Sequence, residues 1–93
     1  MSLLSPSELN QSAQSLASWQ VHPEALQRTF EFVDFVAAMR FVNHVAAAAE
    51  SQGHHPDIDI RYNRVLLRIY SHDSGGVTAR DVQLAQTIDQ IAL

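Results

Sequence analysis

The sequence predicts an α+β fold. It is a two-layer sandwich of one four-stranded antiparallel sheet with three helices on one face, in the order α-β-β-α-β-β-α. Three observations predict it. Two serine/threonine–acid pairs, Ser5 with Glu8 and Thr78 with Asp81, mark helix starts near the two ends of the chain. A long apolar stripe at helical spacing occupies the middle. Between these helices lie two stretches of alternating residues, each broken by a turn, and two antiparallel hairpins can share one sheet.

The elements follow in order. Ser5 caps the first helix, Pro6 suits its first position and Glu8 closes a capping box. Leu9, Ala13, Leu16 and Ala17 continue it, to an expected end near Ser18. Trp19-Gln20-Val21 reads as a short strand and His22-Pro23-Glu24-Ala25 as a turn. Leu26 to Val33 reads as the next strand, with Leu26, Phe30 and Phe32 on one face. Asp34 is placed to cap the second helix. Phe35, Ala38, Met39, Val42, Val45, Ala46 and Ala49 form its stripe, and Gly53 ends it. Ile58, Ile60 and Tyr62 alternate, then Val65, Leu67 and Ile69 alternate on the opposite parity. A two-residue turn at Asn63-Arg64 explains that flip. It pairs Tyr62 with Val65, Ile60 with Leu67, Ile58 with Ile69 and, on the other face, Asp59 with Arg68. Gly75-Gly76 marks a loop. Thr78-Ala79-Arg80-Asp81 opens the last helix, whose stripe is Leu84, Ala85, Ile88, Ile91 and Ala92.

Composition narrows the function. A chain of 93 residues is one small domain, spanning 1–93. It has no Cys, which excludes thiol catalysis, iron–sulfur clusters and cysteine zinc sites. It has no Lys, which excludes lysine Schiff-base chemistry. A net charge of −4 argues against a basic nucleic-acid surface. No apolar run approaches the roughly 20 residues of a membrane span, and a secretion signal is not evident. The expectation is a cytoplasmic protein.

Five His in so short a chain is the unusual feature. Extending the hairpin register outward sets His55 opposite His72, so His54, His55 and His72 lie together. Three readings stay open from spacing alone: general acid–base catalysis near neutral pH, a metal site, or exposed polar residues at a sheet end. Adjacent His54 and His55 point to opposite sides of an extended chain, which weakens the metal reading. Asp81 starts the buried stripe of the last helix, a position a capping acid takes in any case. Glu50 ends the second helix, where an acid is disfavoured, and a hydrogen bond to a nearby His would compensate. His22 and His44 read as surface residues. Trp19 reads as core, with the roof of a flat ligand as the alternative.

Glu50-Ser51-Gln52-Gly53-His54-His55-Pro56, followed by Tyr62, His72 and Asp81 at fixed gaps, resembles the signature of the pterin-4a-carbinolamine dehydratases. Leu16-Ala17-Ser18-Trp19, Phe30 to Phe35 and Gly76 to Asp81 with Leu84-Ala85 extend the resemblance over essentially the whole chain. Asp57-Ile58 departs from the acidic-plus-aromatic pair of some relatives. The resemblance implies dehydration of 4a-hydroxytetrahydropterin to quinonoid dihydropterin, in recycling the pterin used by aromatic amino acid hydroxylases. It implies no metal and no organic cofactor. It assigns catalysis to His54, His55 and His72, and substrate contact to these with Gly53, Tyr70, Ser71 and Asp73. Glu50, Asp81 and Trp19 take supporting roles. It also implies a homodimer or homotetramer, which would cover the sheet edges. The alternative is a non-catalytic assembly or transcriptional coactivator protein on the same fold.

Overall fold

The structure, a computed structural model, describes residues 2–93. Its elements are α1 (Pro6–Ser15), β1 (Gln20–Val21), β2 (Leu26–Glu31), α2 (Phe35–Gln52), β3 (Asp57–Arg61), β4 (Arg64–Ile69) and α3 (Ala79–Ile91), which is the expected order. The strands form one antiparallel sheet in the order β1-β2-β4-β3. Among the described residues no helix is long and apolar enough to cross a membrane.

All three helix starts are capped as the sequence predicts. The Ser5 hydroxyl accepts from Glu8 N–H at 3.2 Å, and Ser5 N–H donates to Glu8 at 2.8 Å. Asp34 accepts from Ala37 N–H at 2.8 Å. Thr78 N–H donates to Asp81 at 2.7 Å. α1 ends at Ser15 rather than near Ser18, because Leu16 and Trp19 turn down into the core instead of continuing the helix.

One face of the sheet carries Leu26, Phe30, Val65, Leu67 and Ile69, all buried against Val45, Ala49, Leu84, Ala85 and Ile88 of the helices. α2 also buries Phe41, whose ring lies 4.6 Å from Phe30 and 5.0 Å from Phe32. Phe35 and Ala46, expected in that stripe, are exposed. β2 ends at Glu31, two residues short of the expected Val33, where the chain turns toward the Asp34 cap.

The second hairpin corrects the sequence reading. Ile60 pairs with Val65, Ile58 with Leu67 and Asp57 with Arg68. The register is therefore two residues away from the predicted one, and the turn is Tyr62-Asn63. The cause lies in β2, which a reading of the hairpin alone leaves out. Phe32 N–H donates to the Asn63 carbonyl at 2.9 Å, and the Asn63 amide donates back to the Phe32 carbonyl at 2.8 Å. Asn63 thus extends the β2–β4 ladder, and the turn moves back by one residue. Tyr62 then takes a left-handed φ of 52°. A shift of two preserves the faces, so the apolar face survives. Asp59 loses its predicted partner: it lies opposite Leu66, and its carboxylate accepts from Arg61 at 3.3 Å.

Candidate functional site

The three histidines do meet, at the end of the sheet where α2 runs into β3 and β4 runs into α3. A cleft of about 340 Å³ is lined there by Gly53, His54 and His55 on one side and by Tyr70, His72 and Asp73 on the other. The corrected register changes the predicted facing pair. Continued outward it sets Tyr70, not His72, opposite His55. The ladder stops at Asp57, just after Pro56, which has no N–H to donate.

A tight helix ending delivers the first two histidines. Gly53 is left-handed at φ 62°, its N–H reaches the Glu50 carbonyl at 3.1 Å, and His54 N–H reaches Ala49 at 3.1 Å. This is a Schellman closure, in which glycine avoids the cost of about 1–2 kcal/mol that a Cβ would bring. The chain leaves extended, so His54 and His55 diverge.

His54 turns inward and is buried with its residue only 8% exposed. Its Nε2 lies 2.5 Å from Oδ1 of Asp81, which is itself fully buried. His55 turns outward, and its Nε2 lies 2.7 Å from Glu50, with both side chains exposed. That contact supplies the compensation an acid at the end of α2 requires. A carboxylate only accepts, so in each neutral ring Nε2 carries the hydrogen and Nδ1 keeps the basic lone pair.

Asp81 does more than face His54. Its Oδ2 accepts from Thr78 N–H and from the Ser71 hydroxyl at 2.9 Å. The Thr78 hydroxyl lies 2.9 Å from Ser71 and accepts from Arg80 N–H at 3.3 Å. The Thr78 hydroxyl also lies 3.4 Å from Oδ2 of Asp81, so both hydroxyls of this buried network have partners. The acid is at once the helix cap and the partner of a site histidine.

His72 follows Ser71 on a loop closed by the bridge between Ser71 and Gly76. Its ring lies 4.4 Å from that of Tyr70. Asp73 follows at the cleft wall. Ser71, expected to line the cleft, lies beneath it with its hydroxyl turned to Asp81. Trp19 is also not part of the cleft wall. Its indole meets Phe30 edge-on at 6.2 Å and donates to Asp89 at 2.7 Å. The core reading of Trp19 is the one the structure supports.

Sequence reasoning missed Arg80. It lines the cleft and donates to the Gly53 carbonyl at 3.0 Å, tying the start of α3 to the end of α2. A signal existed. A cation in the first turn of a helix sits against the dipole, as an acid in the last turn does. Glu50 and Arg80 are both misplaced on their own helices; Glu50 is met by His55 just beyond its own helix, and Arg80 reaches across to the Gly53 carbonyl. No group of three or more metal-ligating side chains is gathered among the described residues.

The family model for pterin 4 alpha carbinolamine dehydratase matches residues 2–91. The chain belongs to that family. A relative from Acidobacterium capsulatum, provisionally assigned as a pterin-4-alpha-carbinolamine dehydratase, is 50% identical over 98% of this chain and 99% of its own length. The crystal structure of a transcriptional coactivator/pterin dehydratase from Brucella melitensis superposes with a TM-score of 0.91 at 37% identity, over 97% of this chain and 98% of that one. A pterin dehydratase-like protein described as a RuBisCO assembly factor in the alpha-carboxysome shares the fold, with a TM-score of 0.67 at 23% identity over 80% of this chain and 86% of that one.

Proposed function

We propose that this chain is a hydro-lyase that eliminates water from 4a-hydroxytetrahydropterin to give quinonoid dihydropterin. The observation that carries this reading is the set of three imidazoles on one cleft, two of them held through Nε2 by separate carboxylates. The family and the dehydratase names of the relatives point the same way.

The chemistry asks for little else. Hydroxide leaves C4a poorly, and water leaves well once a proton has been delivered. The electron pair that closes the new double bond comes from a ring N–H whose proton is removed. One proton is given and one is taken, so the elimination is redox-neutral and balanced without a cofactor. His54, His55 and His72 supply the acid and the base. Asp81 and Glu50 fix the tautomers of His54 and His55, which leaves each Nδ1 available for proton transfer.

The test is a direct assay on freshly generated 4a-hydroxytetrahydropterin, followed by absorbance against the uncatalysed rate. Acceleration that needs no added metal and survives a chelator is the expected result. No acceleration by folded protein overturns the reading and favours a binding or assembly role on this fold.

The same reading takes a second copy of this chain as a partner. β3 is an edge strand, and Ile58 and Ile60 on it are 36% and 37% exposed. An apolar edge of this kind is normally covered. Light scattering at micromolar concentration should report a dimer or tetramer, and a monomer would contradict this.

A further inference from the structure

The helices cover one face of the sheet and leave the other open. On the open face lies a cavity of about 230 Å³, lined by Thr29, Asp59, Arg61, Arg64 and Leu66. We propose that this cavity binds a small zwitterion, a free α-amino acid with an apolar side chain. It shares no lining residue with the histidine cleft, and the proposal stands apart from the dehydratase reading.

The hairpin register builds the site. Arg61 and Arg64 are directly opposed across β3 and β4, and Leu66 lies between Asp59 on one side and Thr29 on the other. Directly opposed residues have Cβ atoms about 4.5–5.5 Å apart, so two guanidinium groups can meet one carboxylate. Like charges placed this way destabilise a sheet. The turn that places them is nonetheless firmly held, by the two hydrogen bonds between Asn63 and Phe32. It also keeps Tyr62 at a left-handed φ of 52°, an uncommon conformation for a bulky side chain. Backbone strain of this kind gathers at ligand-binding segments.

The charges select the ligand class. Each guanidinium is held through its Nε, Arg61 to Asp59 at 3.3 Å and Arg64 to Glu31 at 3.0 Å. Among the described residues the outer N–H groups of both arginines have no hydrogen-bond partner, and neither do Oδ2 of Asp59 and the Thr29 hydroxyl. A phosphate accepts from both arginines but faces Asp59. A simple cation meets Asp59 but faces two arginines. A zwitterion matches both signs: its carboxylate accepts from Arg61 and Arg64, and its ammonium donates to Asp59 and Thr29. Leu66, half-buried, is the apolar floor for its side chain. The volume falls below the roughly 300–1,000 Å³ of pockets for drug-sized ligands, which suits a single amino acid. Pairing of a second copy along the β3 edge leaves the site open, because side chains stand out from the faces of a sheet.

The experiment titrates L-leucine, N-acetyl-L-leucine, L-leucinamide and inorganic phosphate into the isotope-labelled full chain at low ionic strength, following backbone amides by NMR. L-leucine is expected to bind at roughly millimolar concentration. It should move the amides of residues 59–66 and not those of 53–55 or 70–73. N-acetyl-L-leucine lacks the ammonium and L-leucinamide lacks the carboxylate. Each should bind roughly 2- to 5-fold more weakly, the scale of an exposed ion pair. Arg61→Met and Arg64→Met should weaken L-leucine binding by a similar factor. Asp59→Asn should weaken L-leucine but not N-acetyl-L-leucine, since it removes the partner of the ammonium and the repulsion of the carboxylate together. All three side chains are exposed, so Tm should stay close to wild type. Should a variant fail to fold, the wild-type probe series decides alone. The proposal is overturned by any of four results: no saturable shift with L-leucine, phosphate or N-acetyl-L-leucine binding as tightly as L-leucine, shifts centred on the histidine cleft, or unchanged affinity in all three folded variants.

Discussion

The two ends of the molecule use the same four-residue grammar for different purposes. Ser5 to Glu8 and Thr78 to Asp81 are both capping boxes, with the same reciprocal pair of hydrogen bonds. At α1 the box is exposed, the helix buries none of its own residues, and among the described residues the acid's hydrogen bonds are those with its cap. At α3 the box is buried, and the acid also accepts from Ser71 and faces His54. A capping acid becomes part of a site when the fold brings a histidine to its second oxygen. Burial, not the motif, separates the two.

Removing each acid is the sharpest way to test that contrast. Asp81→Ala takes away the cap and leaves Ser71 and Thr78 with unmet hydrogen-bonding groups in the core. The expected cost is about 3 kcal/mol, summing about 1 for the cap and about 2 for the stranded hydroxyls. For a domain of this size that lowers Tm by roughly 10–20 °C in a thermal melt. Asp81→Asn keeps the shape and is the variant for kinetics. Its amide cannot accept from both His54 and Ser71 as the carboxylate does, so kcat should fall by roughly 10²-fold or more. An Asn variant with wild-type kcat would make Asp81 a cap and nothing else.

His72→Ala separates chemistry from stability. His72 is exposed on its loop and faces Tyr70. Turnover should fall by roughly 10²–10⁴-fold, the usual worth of a general acid or base. Tm should move little. Wild-type turnover in this variant would remove His72 from the mechanism.

Glu50→Gln probes the exposed counterpart of the His54–Asp81 pair. The His55 and Glu50 side chains are 65% and 80% exposed. An exposed ion pair contributes about 0–1 kcal/mol, so the melt should be nearly unchanged. Activity should fall less than in Asp81→Asn, because water can replace Glu50 beside His55. An effect of Glu50→Gln on kcat as large as that of Asp81→Asn would break the distinction between the two pairs.

The sequence shows the caps and strands because those signals are local. Ser5, Asp34, Gly53 and Thr78 each act within a few residues of themselves, and each behaves as its local pattern implies. The hairpin register is not local. Asn63 is drawn into the β2–β4 ladder by Phe32, 31 residues away in sequence. Pairing Ile58 with Ile69 matched apolar residues as well as the real pairing does, so the local pattern could not decide between them. The histidine cluster survived the error because His54 and His55 end one arm of the hairpin and His72 lies beyond the other. Arg80 stands out in the sequence as a cation in the first turn of a helix, but its partner, the Gly53 carbonyl, is a backbone group with no side-chain signature to point to. The division of labour between His54 and His55 was hidden too, since alternation along an extended chain does not say which side is buried.

The smallest effect belongs to the exposed box, and its sign follows from linkage. Two hydrogen bonds from Ser5, the backbone N–H first and the side chain second, hold the Glu8 carboxyl below the usual glutamate value, against a smaller opposing effect of desolvation. A carboxyl with a depressed folded pKa stabilises the fold above its unfolded pKa, about 4.3 for glutamate. That stabilisation shrinks as pH falls below this value and is gone once pH passes the folded pKa. Glu8→Gln keeps an acceptor at the same place in the capping box but carries no charge. Its Tm should therefore lie slightly below wild type at neutral pH, and the gap should close in melts taken at progressively lower pH below about 4. A gap that stays constant through that range would show that the charge of Glu8 contributes nothing, and that the exposed box works through hydrogen bonding alone.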